Sequence, residues 1–165
     1  MQKKFIVFLF TVTFVLLSTN GFSAYFANYE WGLSKKEVIE KIKKNGHTLE
    51  KDVKVAKKYD ETVVYQDYLH GHNVLITLFF TPITKQLTGV IIGCRNDDFG
   101  KELLPVLKRK YGNPDTGSEG EFAWMKDEFP NIMLYIFDNT SMVMYLSEKY
   151  APIFEKEKTR QEKQK

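Results

Sequence analysis

Twice along this chain a capped amphipathic helix is followed by three short runs of β-branched and aromatic residues, and that repeated order restricts the fold more than any other feature. The first unit opens at Trp31-Gly32-Leu33-Ser34-Lys35-Lys36-Glu37-Val38. Ser34 stands at the N-cap with Glu37 three residues on, the spacing of a capping box, and Leu33 and Val38 occupy the positions of a hydrophobic staple. Val38, Ile39 and Ile42 supply the apolar face, Lys41, Lys43 and Lys44 suit the negative end of the helix dipole, and Asn45-Gly46 ends the helix. Residues 49–60 read as a polar loop with room for a short edge strand. Strands are then predicted at 62–69, 74–81 and 86–94, separated by turns at His70-Gly71-His72-Asn73 and at Pro82 to Lys85.

The second unit starts at Asn96-Asp97-Asp98, any of which suits an N-cap. Phe99, Leu103, Leu104, Val106 and Leu107 form its apolar face, and Tyr111-Gly112-Asn113-Pro114 stops it. Pro105 inside the segment predicts a kink or a split helix. A loop at 115–120 precedes strands at 121–126, 131–138 and 141–147, the last two joined through Asp138-Asn139-Thr140.

The two units also align: Lys36-Glu37-Val38-Ile39-Glu40-Lys41-Ile42 with Lys101-Glu102-Leu103-Leu104-Pro105-Val106-Leu107, and the hairpin from Tyr65 through Val74–Phe79 with that from Trp124 through Ile132–Phe137. The expected fold is α+β: two helix-plus-three-strand repeats, about 31–94 and 96–148, forming one antiparallel sheet with the helices on one face. The other face must then be polar, curved or covered by a partner. They sit in a single domain at 25–150, and 151–165 reads as a charged tail, a solvated or frayed helix from Glu155 onward.

The first 24 residues read as a secretory signal peptide. Lys3 and Lys4 precede the apolar run Phe5–Leu17, and small residues at Gly21, Ser23 and Ala24 mark a cleavage region. Thirteen residues are too few to cross about 30 Å of hydrocarbon as a helix. The expectation is a periplasmic or secreted protein with no stable membrane anchor after cleavage. Without Lys3 and Lys4 the balance is 22 basic against 21 acidic side chains, a near-neutrality that argues against nucleic acid as a partner. Cys94 is the only cysteine, so no disulfide forms within the chain; it ends the apolar run Val90-Ile91-Ile92-Gly93, where burial is expected.

The string Trp31-Gly32-x-Ser34-x-x-Glu37-Val38 resembles the opening of many small exported bacterial proteins of uncharacterised function. So does Leu104-x-x-Leu107-x-x-Lys110-Tyr111-Gly112-x-Pro114 with Trp124 ahead of a hairpin. The duplicated layout is similar to the β-lactamase-inhibitor-protein and BamE-like folds. That resemblance implies a protein acting by binding other proteins in or outside the envelope. Unlike the outer-membrane assembly lipoproteins, the chain has no lipid-attachment cysteine.

Among candidate chemistry, His70 and His72 alone have metal-ligand character: two imidazoles two apart can share a strand face, with Asp67 and His47 as further donors, although Gly71 between them favours a turn that splays the rings. Asp97-Asp98 reads as helix capping rather than a paired catalytic carboxylate, and Asp115, Glu119 and Glu121 lack calcium-loop spacing. Nucleophile elbows, phosphate-binding glycine loops and zinc-protease helices are missing from the sequence. Tyr25, Phe26, Tyr29 and Trp31 crowd the start of the mature chain and are interface candidates, the alternative being inward packing. No cofactor is expected. The sequence favours a non-enzymatic binding protein that uses a sheet face or loops on another envelope or extracellular protein. The alternatives are a small-ligand or metal-binding module and, further off, a hydrolase.

Overall fold

In the computed structural model the described residues are 29–50, 61–125 and 131–163; residues 1–24, expected to be a signal peptide, lie outside them, as do Tyr25 and Phe26. The chain divides into Met1–Glu30 and Trp31–Lys165, and the fold below is that of the second unit. Among the described residues it is α+β, with three helices and one antiparallel sheet of seven strands.

Helix α1 spans Lys35–Lys44. Its start is a complete capping box: the Glu37 amide donates to Ser34 Oγ at 3.3 Å, and the Ser34 amide donates to Glu37 Oε2 at 2.8 Å. Strands β1 (Thr62–Leu69), β2 (His72–Phe80) and β3 (Leu87–Cys94) then form a meander. Helix α2 (Asp97–Tyr111) follows, capped by Asn96, whose side chain accepts from the Asp98 amide at 2.8 Å. Of the two outcomes expected at Pro105 the split does not occur: α2 runs through it. That residue is exposed, so solvent can serve the carbonyl its ring leaves unbonded.

The second meander is longer than predicted. Residues 116–118, read as loop, form β4 (Thr116–Ser118) ahead of β5 (Glu121–Trp124), β6 (Asn131–Phe137) and β7 (Thr140–Leu146). Strand order across the sheet is β1-β2-β3-β7-β6-β5-β4, so the last strands of the two meanders pair at its centre. Helix α3 (Ala151–Glu162) occupies the region read as a charged tail.

Register organises the core. Directly paired residues run across six strands in two rows on one face: Val63–Leu78–Val90–Tyr145–Ile132–Trp124 and Tyr65–Ile76–Ile92–Val143–Leu134–Phe122. All but Phe122 are buried. Helix α2 lies on this face, with Phe99, Leu103 and Leu107 buried. Gly100 makes the close approach possible, since a Cβ there would stand 2.7 Å from Ser141 Cβ and 2.8 Å from Ile136 Cγ1. Each fully buried Leu, Ile or Val contributes on the order of 1.5–3 kcal/mol. Trp124, fully buried, satisfies its indole by donating to the Gly112 carbonyl at 2.9 Å, tying the end of α2 to β5.

Because side chains alternate along a strand, the neighbours of these rows face the other way. Helix α3 packs on that second face: Pro152 and Phe154 share a cleft with Phe79, Ile91, Met144 and Leu146. The described helices therefore occupy both faces, not one.

Candidate binding face

The second sheet face carries no polar alternation. Its central row is Val64–Thr77–Ile91–Met144–Met133–Ala123 and its neighbouring row Gln66–Leu75–Gly93–Met142–Tyr135–Glu121. Val64 and Thr77 are buried, closing the face toward β1. From β3 outward, Ile91, Met142, Met144, Met133, Tyr135 and Ala123 are half-exposed. Phe137, 49 % exposed, extends this surface and stacks on Tyr135 with ring centroids 6.0 Å apart. An apolar, methionine-rich sheet surface left open by the described residues differs from an ordinary solvated antiparallel face, which alternates apolar-in and polar-out.

Helix α3 turns one end of this face into a cleft of about 640 Å³. The floor is Phe79, Ile91, Met144 and Leu146; Ala151, Pro152 and Phe154 form one wall; Thr88, Asn131, Glu148 and Glu155 are the polar residues of the lining among those described. The only buried residue of α3 is not an apolar one but Glu157. Its carboxylate accepts from the amides of Ile83 at 2.7 Å and Thr84 at 3.0 Å, and from the Thr84 hydroxyl at 2.8 Å. Burial opposes the charge, but these bonds, together with the Thr81 hydroxyl, outweigh it and hold the Glu157 carboxyl below its ordinary value.

The predicted metal donors sit elsewhere, on the face covered by α2, and include two histidine–carboxylate pairs. His47 Nε2 lies 3.8 Å from Asp67 Oδ2, and His72 Nε2 lies 3.4 Å from Glu102 Oε2. His70 occupies the β1–β2 turn with φ 50°, followed by Gly71 at 84°, and lines a small cavity with Phe99, Glu102 and Leu103. Among the described residues no three His, Cys, Asp or Glu side chains are grouped so as to hold a metal ion.

Cys94 is buried, its thiol donating to the Asn73 carbonyl at 3.4 Å, and burial pushes its pKa up despite a backbone hydrogen bond from Asn96. That is the reverse of what a nucleophilic thiolate needs. Asp97 and Asp98 stand in the first turn of α2, where Lys101 Nζ reaches Asp97 at 2.6 Å and Asp98 at 3.7 Å. Asp115 accepts from the Met125 amide at 2.7 Å, bracing the β4–β5 end of the sheet. Of the aromatic interface candidates, Tyr29 is buried and Trp31 half-buried.

Met144, Leu146 and Phe154 were not candidates in the sequence. The available signal was the strand 140–146, apolar at Met142, Met144 and Leu146 as well as at Val143 and Tyr145, which marks a strand facing apolar surroundings on both sides. No helix among the described residues is long and apolar enough to cross a membrane. Compared with known proteins, the chain matches no family model, no curated protein and no solved structure.

Proposed function

We propose that this is an exported, non-enzymatic binding protein whose open sheet face engages another envelope or extracellular protein. One observation carries the reading: the half-exposed apolar surface of Ile91, Met133, Met142, Met144 and Tyr135, lying opposite the helix-covered core. Apolar surface of this kind on a small protein is stabilised by a partner that removes it from water. Methionine suits the task, because an unbranched, polarisable side chain adapts to the surface it meets. Export rests on the leader-like pattern of residues 1–24.

The two-repeat origin belongs to the same reading. Val38 and Ile42 of α1, and Leu103 and Leu107 of α2, are equivalent buried pairs four residues apart. The strand order places the last strand of each meander side by side, with Ile92 opposite Val143 and their neighbours Ile76 and Leu134 one strand further out. Such pairing is what two copies related by a twofold axis normal to the sheet would produce. This supports the similarity to tandem-repeat binding folds, and α3 is then an addition outside the repeat.

The test places a photo-crosslinking amino acid at Met144, or at Lys43 on α1 as control, in the full chain expressed in its native cell. The expected result is one saturable protein adduct from position 144 and not from 43. Identical adducts at both positions, or none at 144, would remove this function.

A further inference from the structure

Resting on that reading, we infer that the segment bound in the cleft between α3 and the sheet is amphipathic and cationic: an apolar ridge flanked by lysine or arginine. The cleft's volume, about 640 Å³, is that of a site for a ligand or a few anchoring side chains, and its floor is apolar. Among the described residues its charged lining consists of Glu148 and Glu155. Both are exposed, and neither has an ion-pair partner among the described residues. The paired strand rows of the open face add one further charged residue, Glu121, also acidic.

Lys149 and Lys156 follow the two glutamates in sequence, and Lys158 and Arg160 lie further along α3, but none of them lines the cleft. Lys41, Lys43 and Lys44 close α1, and Lys108, Arg109 and Lys110 close α2, the helix over the other face of the sheet. A nearly neutral chain thus presents a locally anionic, apolar cleft. Two unpaired carboxylates at the mouth of such a cleft attract a cation while the floor takes its apolar neighbours, and they disfavour an acidic segment of the same shape.

The probes are an amphipathic leucine–lysine peptide and its leucine–glutamate counterpart. They are titrated into protein carrying methyl-labelled methionine at low salt. The leucine–lysine peptide is expected to bind and to shift the Met144 methyl resonance, whereas the leucine–glutamate peptide does not. The double variant Glu148→Gln/Glu155→Gln, altered only at exposed sites, is expected to weaken that binding by about threefold to tenfold. Met144→Gln, close in volume, is expected to weaken it further while both variants keep the parent's methionine spectrum elsewhere.

Equal binding of the two peptides overturns the inference. So does binding that leaves Met144 unshifted, binding of dodecylammonium in place of the peptide, or self-association that buries Met144. Failure here is separable from failure of the binding role. A partner crosslinked at position 144 through an acidic or neutral segment removes the charge assignment and leaves the role intact.

Discussion

Glu157 and Thr84 hold each other through both carboxylate oxygens: the Thr84 amide donates to Oε2 at 3.0 Å and its hydroxyl to Oε1 at 2.8 Å. The Ile83 amide adds a third bond, to Oε2 at 2.7 Å. A helix whose single buried residue is a carboxylate is thus attached to the sheet by a polar latch over an apolar cleft. Glu157→Ala would leave two amides without their acceptor, a cost of about 1–3 kcal/mol. The melting temperature is expected to fall by roughly 3–10 °C. Amide exchange should accelerate through 153–162 before the sheet is affected; uniform acceleration would mean that α3 is not a separable unit.

The latch has a pH signature. The folded-state pKa of Glu157 lies below its ordinary value of 4.5, so its contribution is present above that value and is lost as pH falls through the folded pKa. The stability difference between the parent and Glu157→Gln should therefore be constant from neutral pH to about 5, and should shrink on acidification below the ordinary carboxylate range. Thermal melts of both proteins across that range test it. A difference that grows with acid would show the opposite linkage.

Gly32 is required twice over. Its φ is +84°, and a Cβ there would lie 2.1 Å from the hydroxyl oxygen of Tyr150. Gly32→Ala is expected to cost more than about 2 kcal/mol, of which about 1–2 kcal/mol is the backbone term. Adding Tyr150→Ala should recover the steric part and leave the backbone part. A double-mutant cycle in urea measures this, and strict additivity would show that the two residues do not collide.

Both central residues of the β1–β2 turn have positive φ, 50° at His70 and 84° at Gly71. A type I′ turn prefers asparagine before glycine. His70→Asn is therefore expected to be neutral or stabilising, by up to about 0.5–1 kcal/mol. Zinc should shift the melting temperature of neither protein. Stoichiometric zinc binding lost in His70→Asn would instead make the turn a metal site.

Cys94 should react slowly. With the thiol buried and its pKa raised, a disulfide reagent at pH 8 is expected to label the native protein only through opening, and the urea-unfolded protein at once. Fast native labelling would place the thiol at the surface.

The features legible in the chain are those settled by residues close in sequence. The Ser34–Glu37 box needs three residues of spacing, and the His70-Gly71 turn needs two with positive φ. The strands at 62–69, 131–137 and 140–146 follow from local β-rich runs, with ends displaced by a residue or so from those expected. Six strands and the helices α1 and α2 could thus be placed from local pattern alone. Other features depend on partners far along the chain. Glu157 reads as one charge among many in 155–165 until the amides of Ile83 and Thr84, more than seventy residues away, converge on it. Strand β4 contains Gly117 and Ser118 and has no strand character of its own; pairing with β5 creates it. Pro105 breaks helices in isolation, yet α2 continues because Leu103 and Leu107 on either side of it are buried. The open apolar face exists because β3 pairs with β7, which sets Ile91 beside Met144. Local spacing determined which segments became helices and strands. Only tertiary pairing decided which apolar residues remained uncovered, because that depends on which strands meet and on where the last helix is latched.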